Sequence, residues 1–395
     1  MQPNSKAINR MACGLVTVAS LLVAGTVYAQ SDAEVRTDFR YLPAVKTHWI
    51  KRALLLDIAR ANGRLVAVGE RGIIIHSDDD GSSWVQADVP VSVTLTAVNF
   101  PSPQMGWAVG HEGTILHSSD GGTSWSVQFT GLQIAGQEVA YAESLIAKTE
   151  QQIETAEESE IEELEFALEE AGYALDDAMV AVEAGGTANP LLDVWFADEK
   201  SGFAVGAYGL IFSTDDGGEN WKIRSSDLDN PDKYHYYSMA SANGQTLYLS
   251  GEAGMLFRSD DAGATWIRLE SPYEGSLFGV IAMPNGSTAR VLSFGLRGNI
   301  FVSDDMGETW EKRSVASQNT LMGGVISPGG RLVLVGRSGA VLSSDDAGET
   351  FSIVIREDRS PYSAVIANPD ESLVLVGEGG IHRATPDGSA EEQEQ

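Results

Sequence analysis

The sequence predicts an all-β chain: a seven-bladed β-propeller of four-stranded blades, interrupted by one α-helical hairpin. Three observations predict it. A phrase recurs at fixed phase as VGERGIIIHSDDDGSSW, VGHEGTILHSSDGGTSW, VGAYGLIFSTDDGGENW, SGEAGMLFRSDDAGATW, FGLRGNIFVSDDMGETW and VGRSGAVLSSDDAGETF. Short runs rich in Val, Ile and Leu alternate with polar residues between Gly and Asp turns, the signature of strands and hairpins. The spacing of about 41 residues is near the period of a four-stranded propeller blade.

In all six phrases the second glycine is followed five residues later by Ser or Thr, seven later by Asp, nine later by Gly and twelve later by Trp or Phe. The acids are Asp79, Asp120, Asp216, Asp261, Asp305 and Asp346, and the aromatics are Trp84, Trp125, Trp221, Trp266, Trp310 and Phe351. This turn resembles the Asp-box of bacterial neuraminidase repeats. The Asp can accept hydrogen bonds from backbone N–H groups, the glycine can take φ > 0 and the ring can pack between blades. That reading is structural. A calcium loop would need more carboxylates at alternate positions than the box holds constant.

In chain order, residues 1–29 read as a secretory signal. Lys6 and Arg10 precede an apolar run ending in small residues at Ala29, a pattern removed on export. The single cysteine, Cys13, leaves with it, so neither disulfides nor thiol chemistry are expected. The formal charge of −30 becomes −32 without Lys6 and Arg10, which argues against nucleic acid and anionic membrane surfaces as partners. The expected mature protein is periplasmic, monomeric and not membrane-spanning.

Residues 30–44 are a lead-in. Residues 45–131 hold a closing strand for the last blade and then blades 1 and 2. In VKTHWIKR, Trp49 stands where the box tryptophan stands in GETWEKR, while the seventh unit, VGEGGIHRATPDGSA, lacks an outer strand. The N-terminal strand is therefore expected to complete blade 7. Residues 190–390 carry blades 3–7, with strands of the fourth unit near 237–241, 246–250, 255–259 and 265–269, and residues 391–395 form an acidic tail.

Function is expected where the units differ, on the face opposite the boxes. The tips there read Glu70-Arg71, His111-Glu112, Ala207-Tyr208, Glu252-Ala253, Leu296-Arg297, Arg337-Ser338 and Glu378-Gly379. The links add Tyr234, His235, Tyr236, Tyr273 and Tyr362, which read either as a protein-contact surface or as rings packed on blade edges. One innermost-strand position carries Asp57, Ala97, Asp193, Ser238, Gly279, Gly324 and Ala364. Asp57 and Asp193 there are channel residues or, in a hydrolase, an acid and base pair. Six scattered histidines have no ligand spacing, so no metal, cofactor or catalytic residue is predicted.

The insertion at 132–189 carries two apolar stripes at alternating three- and four-residue intervals: Val139, Ala142, Ile146, Thr149, Ile153, Ala156, and Ile161, Leu164, Leu168, Ala171, Leu175, Ala178, Val182. This predicts an antiparallel coiled-coil hairpin turning near 158–160, with an arm of about 33 Å. Fifteen acidic residues and one basic residue, Lys148, lie in it. Glu162, Glu165 and Glu169 belong either to a solvated coat or to a clasp for a basic or helical partner.

The signal, the seven units and the repeat VGxxGxIxxSxDxGxTW together resemble the photosystem II stability and assembly factor family and its relatives in non-photosynthetic bacteria. The resemblance implies a non-enzymatic, exported propeller that assists assembly of a membrane-protein complex or accompanies a transporter. The family's arginine-rich patch is represented here by Arg71, Arg297 and Arg337 among Glu70, Glu112, Glu252 and Glu378. The rival class is a sialidase-like Asp-box glycoside hydrolase acting on an extracytoplasmic glycan. It would need an arginine triad and an R-I-P-like segment before Ser77, and neither is evident.

Overall fold

The computed structural model describes residues 38–286 and 288–391. The signal expected over 1–29 lies outside the described residues, as do residues 30–37 of the lead-in and all of the acidic tail but Glu391. The β-structure is a seven-bladed propeller with six four-stranded antiparallel sheets and one three-stranded sheet. Blade 4 is representative, with strands Tyr236–Ser241, Leu247–Gly251, Leu256–Ser259 and Ile267–Arg268. Each innermost strand carries a register shift near its start, as between Leu55 and Asp57 or Tyr236 and Ser238. This bulge re-aims the strand toward the axis. In blade 6 the equivalent of Asp57 is Gly323, opposite Val335, and not Gly324.

The boxes hold the turns as their chemistry predicts. In the first, Ser77 Oγ donates to Asp79 (2.7 Å) and accepts from Gly81 N–H (2.9 Å), while Asp79 accepts from the N–H (2.8 Å) and hydroxyl (2.6 Å) of Ser83. Trp84 Nε1 donates to the Gly81 carbonyl (3.0 Å), and its ring is buried with Ala364, Val374 and Val376 of blade 7. These bonds to the charged form, the Ser83 hydroxyl first, hold the Asp79 carboxyl at about 2. Asp216 and Asp261 are held at about 2 by their equivalent bonds.

Blade 7 consists of Tyr362–Ala367, Leu373–Gly377 and Gly380–Ala384. The expected closing strand is absent among the described residues. Residues 44–47 instead follow the outer edge of blade 1, where Ala44 N–H donates to the Val89 carbonyl (3.0 Å) and Lys46 Nζ to that of Ala87 (2.9 Å). The chain then forms a short 3-10 turn, Ile50–Arg52, and Trp49 is 65% exposed with Arg52 over its ring. The ring closes by face packing: Leu55, Leu65, Ala67 and Ile75 of blade 1 share a core with blade 7. Arg60 Nη2 also donates to Asn368 Oδ1 (2.7 Å) across the seam.

The insertion folds as two helices, α1 (Gly131–Thr155) and α2 (Ile161–Glu183), turning at 156–160 as expected. Both predicted stripes are buried or half-buried except Val182, which is exposed. The base of the arm is tied to the tip of blade 2, where Gly131 N–H donates to the Glu112 carbonyl (3.0 Å) and Gly113 N–H to that of Asn189 (3.1 Å). Gln137 then binds the outer strand of blade 3 as an added strand would. Its Nε2 donates to the Trp221 carbonyl (2.6 Å) and its Oε1 accepts from Ile223 N–H (2.9 Å). One turn on, Tyr141 and Ser144 border a groove of ≈ 630 Å³ shared with Asp216 and Asn220 of the third box. The arm therefore runs down the edge of blade 3 toward the box side and does not extend the tip face. Among the described residues no helix is long and apolar enough to cross a membrane.

Candidate protein-binding face

The tips are made rigid by one arrangement repeated seven times. The first tip residue donates its N–H to the carbonyl just before the same blade's innermost strand: Glu70 to Leu54, His111 to Thr94, Ala207 to Pro190, Glu252 to His235, Leu296 to Ser276, Arg337 to Thr320 and Glu378 to Pro361, all within 2.8–3.0 Å. That carbonyl explains the first glycine of V-G-x-x-G, because a Cβ on Gly69 would lie 2.0 Å from Leu54 O and one on Gly336 2.1 Å from Thr320 O. In the first six tips the second residue is left-handed, from Ala253 at φ 51 to Arg297 and Ser338 at φ 59. A non-glycine residue there costs free energy and is held by its surroundings.

Neighbouring tips lean on shared anchors. Arg297 N–H points at Thr320 Oγ1 (3.4 Å), and Arg337 N–H binds the Thr320 carbonyl (2.9 Å). Gly339 N–H binds the Ser360 carbonyl (3.0 Å), bringing Arg359 beside the Arg337 tip. Arg297, Arg337 and Arg359 are exposed and make no ion pair among the described residues. Arg71, also exposed and without an ion pair among the described residues, lies one blade beyond the Glu378-Gly379 tip. Box-side arginines differ: Arg64 binds Asp78 (2.7 Å), Arg290 binds Asp304 (3.0 Å) and Glu349, and Arg331 binds Asp345 (2.7 Å).

Blades 3 to 5 carry an aromatic arc. Tyr208, 55% exposed, sits edge-on to His235 at 4.9 Å, His235 lies 6.3 Å from Tyr237, and Tyr237 packs on Phe278 at 5.0 Å. Glu252 accepts from His235 N–H (3.2 Å) and faces its Nδ1 at 3.4 Å. The expected tyrosines are only partly surface groups. Tyr236 and Tyr362 are core residues, 0% and 1% exposed, while Tyr234 and Tyr273 are half-buried against their blades. The strand period explains this, since Tyr236 and Tyr362 occupy the inward position of Leu55, Leu95, Leu191, Leu277 and Leu321. Their neighbours, including Tyr237, Phe278 and Met322, face the axis. Glu162, Glu165 and Glu169 are exposed on α2 of the arm.

Below the tips lies a channel of ≈ 270 Å³, lined among others by Asp57, Asp193, Tyr237, Ser238 and Phe278. Asp57 Oδ2 accepts from Val98 N–H of blade 2 (2.8 Å), and Asp193 Oδ2 accepts from Met239 N–H of blade 4 (2.7 Å). Each carboxyl therefore bridges two blades. Burial outweighs these bonds and pushes both up to about 7. Among the described residues no cluster of three or more His, Cys, Asp or Glu is placed to hold a metal.

A sequence profile described as photosynthesis system II assembly factor YCF48 matches residues 82–149 and 176–311. A photosystem II assembly lipoprotein Ycf48 from Synechococcus sp. (strain CC9902) is 36% identical over 89 residues, 22% of this chain and 26% of that relative. The counterpart from Prochlorococcus marinus (strain NATL2A) is 46% identical over 52 residues, 13% of this chain and 15% of its own. The alignments thus span about a quarter or less of these relatives. In fold, the chain is similar to YCF48 bound to D1 peptide (TM-score 0.58, 18% identity, 87% of this chain, 99% of that one). YCF48 from Cyanidioschyzon merolae gives TM-score 0.57 at 13% identity, covering 87% and 98%.

Proposed function

The chain belongs to the photosynthesis system II assembly factor YCF48 family, and on that premise we propose that it is an exported, non-enzymatic assembly factor. Its tip face holds an extramembrane segment of a membrane-protein complex or transporter subunit in the periplasm. The observation that carries this reading is the division of charge. In a protein of formal charge −30, Arg297, Arg337 and Arg359 form an arc over blades 5 to 7 without ion-pair partners among the described residues, continuing around the ring from the Tyr208–His235–Tyr237–Phe278 arc of blades 3 to 5.

Guanidinium groups recognise carboxylates through paired N–H donors, and aromatic rings add contact area at small entropic cost. The backbone bonds that fix each tip mean that little ordering is needed on binding. A relative solved with a D1 peptide supports a peptide segment as the cargo. The apolar run and basic start of residues 1–29 support export.

The test is mild crosslinking in the native host, comparing the full chain, an Arg297→Glu/Arg337→Glu variant and a chain lacking 132–189. Co-purified membrane proteins are identified by mass spectrometry. One complex enriched by the full chain and lost with the tip variant is the expected result. Equal recovery by the tip variant, or turnover of a sialoside or glucan that Asp57→Asn or Asp193→Asn abolishes, overturns the reading.

A further inference from the structure

The arm has an outward face that neither the propeller nor α1 uses. Its buried residues recur at three and four, and the position farthest from that seam is filled by Phe166, Tyr173 and Val180, each seven residues from the next. They are 65%, 56% and 65% exposed. Seven residues on an α-helix return to nearly the same bearing, so the three form one strip about 21 Å long. Solvent-facing helix positions ordinarily carry polar side chains, whereas here one outward heptad position is apolar three times in succession, with acids between.

The strip is flanked on one side by Glu162, Glu169 and Asp176 and on the other by Glu163, Glu170 and Asp177, all exposed. The Tyr173 hydroxyl donates to Glu169 (2.7 Å), holding the ring along the helix. Apolar centre and acidic rims define the complement. We propose that the outer face of α2 is a docking strip for a basic amphipathic helix of a protein partner, with apolar residues at its centre and Lys or Arg on both sides. This deepens the assembly-factor reading and rests on it only for the partner being a protein.

Charge selects this occupant over others. A second copy of the chain would bring the same fifteen acids against one lysine, and an anionic lipid surface would be repelled. A basic helix gains both rims and the strip, the arrangement of helix-in-groove recognition read at i, i+3, i+4 and i+7.

The experiment uses the mature full chain and a fluorescein-labelled peptide, about five helical turns long, of Leu and Lys with all leucines on one helical face. A second peptide of the same composition has its leucines spread around the helix. Binding is read by anisotropy at low and physiological salt. The one-faced peptide is expected to bind at least about tenfold tighter than its shuffled twin. Phe166→Ser/Val180→Ser should abolish that preference while leaving weak charge-driven binding of both peptides, with an unchanged circular-dichroism melt. Glu163→Gln/Glu170→Gln/Asp177→Asn should reduce the salt dependence. Equal binding of the two peptides, wild-type preference in the Ser variant, or concentration-dependent dimerisation lost in that variant would overturn the proposal. Arg297→Glu/Arg337→Glu should leave peptide binding intact, so failure of the tip face and failure of the strip give different results.

Discussion

Raising the pH from about 5 to about 8 should destabilise the propeller through its two channel carboxyls, and Asp57→Asn should remove part of that cost. Both groups are held at about 7 by burial, against 3.8 in an unfolded chain. Below about pH 4 they are protonated in both states. Between about 4 and 7 the folded chain keeps protons that the unfolded chain has released, so stability falls as pH rises and levels off above about 7. At about 1.4 kcal/mol per unit, the upper bound is about 4 kcal/mol per group. Water in the channel screens the charge, and an effect of about 1–3 kcal/mol per group is the working magnitude. His76, His117 and His382 act oppositely on the acid side, because burial lowers their affinity for protons. The readout is therefore the difference between variant and parent. Urea unfolding followed by tryptophan fluorescence at pH values from about 5 to about 8 should show Asp57→Asn gaining on the parent at each step, with a constant m-value. Parallel stability curves for the two proteins would refute the burial argument.

The box aspartates predict the other limb: with Asp79, Asp216 and Asp261 held at about 2, stability should fall as pH drops from about 4 toward about 2, measured by the same unfolding series. Trp49→Ala should leave the melting temperature nearly unchanged because the ring is exposed, whereas Trp84→Ala, which empties a blade joint, should cost about 3–5 kcal/mol. Gly336→Ala drives a Cβ to 2.1 Å from a backbone carbonyl and should abolish folding or cost several kcal/mol, while Gly63→Ala, with nothing within 4 Å, should be neutral or stabilising in a thermal melt. Gln137→Ala should speed hydrogen exchange at the Ile223 amide with little loss of global stability, since it removes two bonds at the arm's base.

The parts legible in the sequence were those set by local chemistry repeated in register. The Ser, Asp, Gly and Trp positions of the box fix one another within a single turn, so their spacing alone carried the fold. The helical hairpin was legible because its two stripes pack mainly on each other. Tyr236 and Tyr362 read equally as contact residues or as packed rings because they sit in link-like segments, yet aligning them with Leu55 and Leu95 identifies them as inward residues. Trp49 mimicked a box aromatic without the Ser and Asp that build the box. The direction of the arm was not legible, since it depends on Gln137 meeting backbone atoms 84 and 86 residues away.

The two faces of the ring treat the same residue type differently, and the difference has a physical cause. An acidic protein offers every arginine a partner, and on the box side Arg64, Arg290 and Arg331 find one from strands that point them at neighbouring turn acids. On the tip face the backbone is pinned at each turn and the second residue is forced left-handed, which aims Arg297 away from the protein and leaves it exposed. Free arginines there contribute nothing to the blade packing that holds the ring. Substituting Arg297 or Arg337 should therefore change binding with a nearly silent thermal melt, whereas Arg290→Ala, which strips Asp304 and Glu349 of a partner, should register in stability first.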